Sequence, residues 1–251
     1  MKMQSVIQLN VVIVTVMLVV TACGHNAIQQ NANVPTVAPN STSAAQSRCG
    51  LMTGLDDLII QACLATEETY PRRESQQIEA SPDASAEFDM SITEYESKDR
   101  WQTRLELPNG NMETAMVVIS PTMFLKQGDR WETIPLRRFR DANVVPLPKL
   151  VASHIEFDLI PKPDLITQRW INVSTHQIGV EDLGGVSTRI YEASWADEHG
   201  QEGTMKVWIG INGLIYKSRT SIRDSFRKST VLMIYEYDQS IKVETPFTAQ
   251  Q

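Results

Sequence analysis

Thr204–Ile222, TMKVWIGINGLIYKSRTSI, carries the clearest hydrophobic pattern in the chain. Two apolar-rich arms flank Asn212-Gly213, a dipeptide that readily takes the positive-φ conformations of a tight hairpin turn. On the first arm Met205, Val207, Ile209 and Ile211 share one face of a strand, while Lys206, Trp208 and Gly210 share the other. Large apolar side chains on both faces predict a hairpin covered on both sides, because a sheet with one wet face alternates more cleanly. Upstream, Glu87–Thr93 alternates, with Phe88, Met90 and Ile92 opposite Asp89, Ser91 and Thr93. Arg100–Leu107 groups Trp101, Thr103, Leu105 and Leu107, and Thr114–Ile119 is apolar on both faces. Met123–Lys126 and Arg130–Ile134 flank the turn Gln127-Gly128-Asp129. Asn172–Val180, Val186–Trp195, Val231–Tyr237 and Ile241–Glu244 complete a second meander around the hairpin. The pattern predicts about ten strands and two helical segments, an α+β chain in antiparallel order whose sheet tends to curl.

The helical segments lie at two places. Between Cys49 and Cys63 the sequence GLMTGLDDLIIQA reads as helix from Thr53, with Thr53 as cap and Asp56 and Asp57 in the first turn. Leu51, Leu55, Leu58, Ile59 and Ala62 form its apolar stripe, and Tyr70-Pro71 ends it. The second candidate is Lys149–Asp158, where Val151, Ile155 and Leu159 fall at helical spacing. It lies in an insertion from Pro135 to Arg169 that prolines repeatedly interrupt, and it acts either as a lid or as a passive cover over the sheet.

The first residues read as an export signal. Lys2 precedes the apolar run Val11–Val20, and Val20-Thr21-Ala22-Cys23 resembles a bacterial lipobox with cleavage before Cys23 and lipid on its thiol. An ordinary signal with an incidental Cys23 is the alternative. The chain divides into a signal peptide (1–22), a tether (23–48) and one folded domain (49–251). From Gly24 to Ser47 there is no Lys, Arg, Asp or Glu, so the tether is too polar and too poor in apolar bulk to fold. Its reach as a flexible chain is about 25–30 Å. The expected location is the bacterial cell envelope, with a domain anchored by lipid and exposed outside the cytoplasmic membrane.

Net charge is −7, and more negative once Lys2 leaves. This argues against nucleic acid and against electrostatic adhesion to anionic lipid, leaving lipidated Cys23 as the membrane attachment. In an oxidising compartment the remaining pair, Cys49 and Cys63, is most simply a disulfide. A continuous helix would hold the two Cα atoms about 20 Å apart, so the bridge requires Cys49 to fold back. Metal binding and a catalytic thiol are weaker readings.

Several segments together resemble the LolA/LolB-like lipoprotein-carrier superfamily, including its LppX/LprG-type lipid-binding lipoproteins. They are Thr122-Met123-Phe124-Leu125-Lys126 with Gly128 and Trp131, Gly184-Gly185-Val186 with Ile190-Tyr191, and Lys206-Val207-Trp208-Ile209 leading to Asn212-Gly213-Leu214. Tyr235-Glu236-Tyr237-Asp238 and the closing Ile241-Lys242-Val243-Glu244-Thr245-Pro246 complete the set, from about Tyr70 to Pro246. The resemblance implies a strongly curved antiparallel half-barrel, with helices and a loop over the concave face and an apolar cavity between. The proline-rich insertion departs from the family pattern.

Met90, Trp101, Leu105, Met116, Val118, Phe124, Trp131, Val207, Ile209, Ile211 and Met233 are the candidates to line such a cavity. The plainer reading is that they are packed core. Catalysis finds little support and stands a distant third: the four histidines lie in unrelated segments, no G-x-S-x-G, H-E-x-x-H or P-loop is present, and no cofactor or metal is expected. Asp56-Asp57 and Glu67-Glu68 read as helix-end and surface charges, and Arg137, Arg138 and Arg140 either meet an anionic ligand or form a solvated loop. The expected function is non-enzymatic binding of a lipid or other hydrophobic ligand, carried between membrane and partner. The alternative is a filled interaction module that docks on another envelope protein.

Overall fold

The computed structural model describes residues 56–79, 90–107, 109–142, 144–151, 154–161, 170–197, 202–223, 228–237 and 240–246. The residues read as signal and tether, and Cys23, Cys49 and Phe88, lie outside them. Helix α1 spans Asp57–Glu68. The cap is Asp56, not Thr53: its carboxylate accepts from Leu58 N at 2.8 Å, satisfying one otherwise orphaned donor. Starting there, the buried stripe is Ile59, Ala62, Cys63 and Thr66, at helical spacing, and Leu58 is turned outward.

Strands β1 (Arg72–Glu79), β2 (Met90–Ser97), β3 (Arg100–Glu106), β4 (Met112–Ile119), β5 (Thr122–Gln127) and β6 (Arg130–Pro135) follow. The insertion forms helix α2 (Leu136–Ala142) and strands β7 (Val144–Val151) and β8 (His154–Pro161). Strands β9 (Trp170–Leu183), β10 (Val186–Asp197), β11 (Glu202–Gly210), β12 (Ile215–Arg223) and β13 (Lys228–Glu236) close the series. Eleven strands make one open sheet in the order β6-β5-β4-β3-β2-β1-β13-β12-β11-β10-β9, and β7 and β8 pair separately. Every pairing is antiparallel. Strand β1 joins the two meanders, lying between β2 and β13. Register shifts interrupt the β2–β3, β3–β4, β9–β10 and β11–β12 ladders, and such bulges bend strands.

The structure corrects two expected elements. Lys149–Asp158 is not helical but belongs to the β7–β8 hairpin, paired from Val144↔Pro161 to Val151↔His154. Ile155 and Phe157 follow a period of two and pack on the main sheet, and pairing along the whole of β7 holds the segment extended. Ile241–Glu244 forms no strand and instead crosses the sheet's outer face. The β11–β12 hairpin matches expectation. Gly210 N donates to Leu214 O, Gly213 N donates to Gly210 O, and Gly213 supplies the turn's positive φ of 79°.

Candidate functional site

Directly opposed residues of adjacent strands share a face, so the ladder registers assign every side chain. On what we term the inner face, Tyr95↔Trp101↔Val118↔Met123↔Ile134 form one row across β2 to β6. With Met116 and Leu125 they make a buried cluster, packed with Phe139 of α2 and Phe157 of β8. Leu105 and Ala115 meet Ile155 of β8 beside Ile78. At the far end Tyr191, Met205, Val207, Ile209, Ile215, Val231, Met233 and Tyr235 make a second large cluster, against which α1 lays Ile59, Ala62 and Cys63. Trp195 also packs here, lying so close over Gly203 that a Cβ at that position would fall 2.1 Å from its ring.

Of the candidates read from the sequence, Trp101, Leu105, Met116, Val118, Val207, Ile209 and Met233 come together on this inner face, all buried. Four do not join them. Phe124 and Trp131 lie on the opposite face, with Val117 and Ile119 under Ile241 and Val243. Met90 pairs with Gln77 and also faces outward. Ile211 sits in the hairpin turn, 94% exposed. The phase error has a physical source: β5 is apolar at Met123, Phe124 and Leu125 alike, so its own pattern leaves the facing set ambiguous by one residue. Tyr95, Met123, Ile134, Met205 and Val231 are among the inner-face residues absent from that candidate set. Only the cross-strand row through Trp101 and Val118 reveals most of them.

Between the apolar clusters runs a polar seam centred on β1. Arg72, Glu74 and Gln76 are buried there, flanked by Ser91, Thr93, Thr103 and Ser218. Arg72 Nε donates to Glu74 Oε1 at 2.9 Å, and its Nη1 donates to Glu67 O at 2.8 Å and Thr69 O at 3.2 Å. The guanidinium thus meets the last carbonyls of α1, where a cation is favoured by the helix dipole. It also lies 4.1 Å from the Tyr95 ring centroid and 4.8 Å from that of Tyr70. A second tie runs from α1 to the hairpin: Ile215 N donates to Thr66 Oγ1 at 2.9 Å, and Tyr237 Oη donates to Ile215 O. Burial pushes the Tyr237 phenol well above its ordinary pKa, so it stays a donor at any working pH.

The outer face is charged at its centre. Glu94 accepts from Arg73 at 2.9 Å, Gln102 at 2.8 Å and Arg104 at 3.2 Å. Burial raises the Glu94 carboxyl, but the bonds from Gln102 and Arg73 and the Arg104 and Arg73 charges outweigh it and hold the pKa below the usual carboxylate value. Trp208 covers this face further along, with Lys217 Nζ 4.5 Å from its ring centroid and Glu181 accepting its indole N–H. Asp56 is a helix cap, and Arg137 and Arg138 are exposed on α2. No cluster of three His, Cys, Asp or Glu side chains fit to hold a metal occurs among the described residues. Cys63 is disulfide-bonded, and its candidate partner Cys49 lies outside those residues.

No protein-family model matches this sequence, and no curated protein matches it. Among solved structures it is similar to the Mycobacterium tuberculosis lipoprotein LppX, at 11% identity and a TM-score of 0.47, over 75% of this chain and 97% of that one. It is similar to a LolA superfamily protein from Nitrosomonas europaea at 8% identity and a TM-score of 0.28, over 72% and 90% of the two chains. A putative outer membrane lipoprotein-sorting protein domain from Vibrio parahaemolyticus matches at 8% identity and a TM-score of 0.21, over 74% and 93%.

Proposed function

We propose that this chain is a bacterial envelope lipoprotein that binds a lipid or other hydrophobic ligand against the inner face of a half-barrel and carries it by binding alone. The observation that supports this reading is that the apolar face is covered in separate pieces rather than by one continuous layer. Ten inter-strand steps of about 4.8 Å make a sheet about 48 Å across. Helix α1 is about 18 Å long and 10–12 Å thick. It meets the face over β10–β13, while α2 and β8 meet it over β2–β6. Separate small covers can part without breaking any main-sheet ladder, and each methylene of a ligand buried between them contributes about 0.8 kcal/mol. Trp101, Leu105, Met116, Val118, Val207, Ile209 and Met233 are the proposed ligand contacts. Lipid on Cys23 and a Cys49–Cys63 bridge to the middle of α1 complete the proposal, and the ligand is held without covalent chemistry.

A second reading, a filled module that docks on another envelope protein, is favoured by the tight packing of Trp101, Leu105 and Val207, each at most 2% exposed. Quenching of tryptophan emission by the methyl ester of a brominated fatty acid separates the two. Trp101 lies on the inner face and Trp131 on the outer. Ligand binding predicts saturable quenching that Trp101→Phe diminishes and Trp131→Phe does not. Absence of saturable quenching favours docking.

A further inference from the structure

Gln76 stands at the middle of the inner face and is 4% exposed, yet its Nε2 has no hydrogen-bond partner among the described residues. Buried amide donors are almost always satisfied, so one left unmet marks a place where a ligand atom belongs. Its surroundings define that atom. Met233 lies opposite Gln76 on β13 and Ser91 opposite on β2. Beyond Met233 the row runs through Ser218 to Val207, with Val231 beside Met233 on β13, and beyond Ser91 it is apolar again at Leu105. A hydrocarbon on both sides of a single polar atom fits this layout. The neighbouring charges are already matched, Arg72 with Glu74 and with the end of α1. The seam therefore offers a donor without net positive charge, and an ionised headgroup would be buried there without a counter-ion.

We infer that Gln76 Nε2 donates to an uncharged carbonyl oxygen, of an ester or amide, in the middle of an acyl ligand lying across the inner face. Gln76 thus selects ester and amide lipids over plain hydrocarbon and over free fatty-acid anions. The inference rests on the ligand-binding reading above and names the class of ligand.

The test uses the full-length chain with Nile red as reporter, displaced by methyl myristate, by heptadecane of equal heavy-atom count, or by myristate anion. In the wild type methyl myristate displaces the probe at lower concentration than myristate anion. Gln76→Leu weakens methyl myristate roughly tenfold, the loss of one desolvated hydrogen bond, and leaves heptadecane unchanged or tighter. Gln76→Met, linear like glutamine, gives the same split should the leucine variant not fold. Without ligand, either variant melts no lower than wild type, because an unmet buried donor has been removed. Equal effects on methyl myristate and heptadecane, tighter binding of the anion, or a clear fall in melting temperature would each overturn the inference and leave ligand binding intact. Failure of all three to displace bound Nile red, or no Nile red uptake at all, overturns the ligand-binding reading itself.

Discussion

Arg72 concentrates three interactions in one buried side chain: an ion pair with Glu74, bonds to the last carbonyls of α1, and the faces of Tyr70 and Tyr95. Arg72→Met removes the buried counter-charge of Glu74, so it is expected to cost about 3–5 kcal/mol in urea unfolding, and Arg72→Met with Glu74→Leu to recover most of that. A single substitution costing under about 1 kcal/mol would contradict this. On the outer face Glu94 sets a pH dependence. Its folded pKa lies below the ordinary value of 4.5, so its stabilisation is fully present above that pH and is lost as pH falls through the folded pKa. Glu94→Gln is expected to lower stability by about 2 kcal/mol at neutral pH and to flatten the acid limb of the stability profile. Equal slopes for both proteins below pH 4.5 would refute the assignment. Gly203 is constrained by contact: Gly203→Ala drives a methyl into the Trp195 ring and should cost about 1–3 kcal/mol, read by thermal unfolding.

At the scale of elements, the segment 240–246 fastens the first meander from outside. Ile241 and Val243 cover Val117, Phe124 and Trp131, Val243 N donates to Glu96 at 2.9 Å, and Arg100 donates to Val243 O at 2.8 Å. Ile241→Ala is expected to cost about 2–5 kcal/mol and to speed amide exchange in β4 and β5 rather than in β11 and β12. The same segment shows why legibility varied. Ile241 and Val243 alternate like a strand, but alternation reports one buried face and says nothing about ladder partners. Strand β1, RRESQQIE, was invisible for the opposite reason. It is polar along nearly its whole length, and its extended form is imposed by β2 and β13 on either side. The β9–β10 and β11–β12 turns were readable because Gly184-Gly185 and Asn212-Gly213 have local conformational requirements. The inner apolar set was half readable: Val207 and Ile209 follow from alternation, whereas Phe124 and Trp131 were misplaced because β5 and β6 carry apolar bulk on both faces. Gln76, a lone glutamine in a polar run, gives no signal until the register sets it between Met233 and Ser91.

At the scale of the whole molecule, a single polar strand welds two meanders into one eleven-stranded antiparallel sheet. Its inner face is apolar at both ends and polar between, and its described covers, α1 at one end and α2 with β8 at the other, are separate. On the proposed reading, that division lets a ligand enter by displacing a cover while the ladders hold, which a continuous core would not permit. It also sets the scale of affinity. On the proposed reading, burial of about ten methylenes supplies about 8 kcal/mol against an association cost of at least about 4 kcal/mol, so binding is reversible rather than permanent. Native mass spectrometry of the chain expressed in a bacterial envelope tests this most directly. The account predicts a fraction of molecules carrying added mass that organic extraction releases as acyl lipid, and that Val207→Glu on the inner face diminishes. A mass equal to that of the polypeptide and its covalent modifications alone, in every preparation and after incubation with ester lipids, would contradict it.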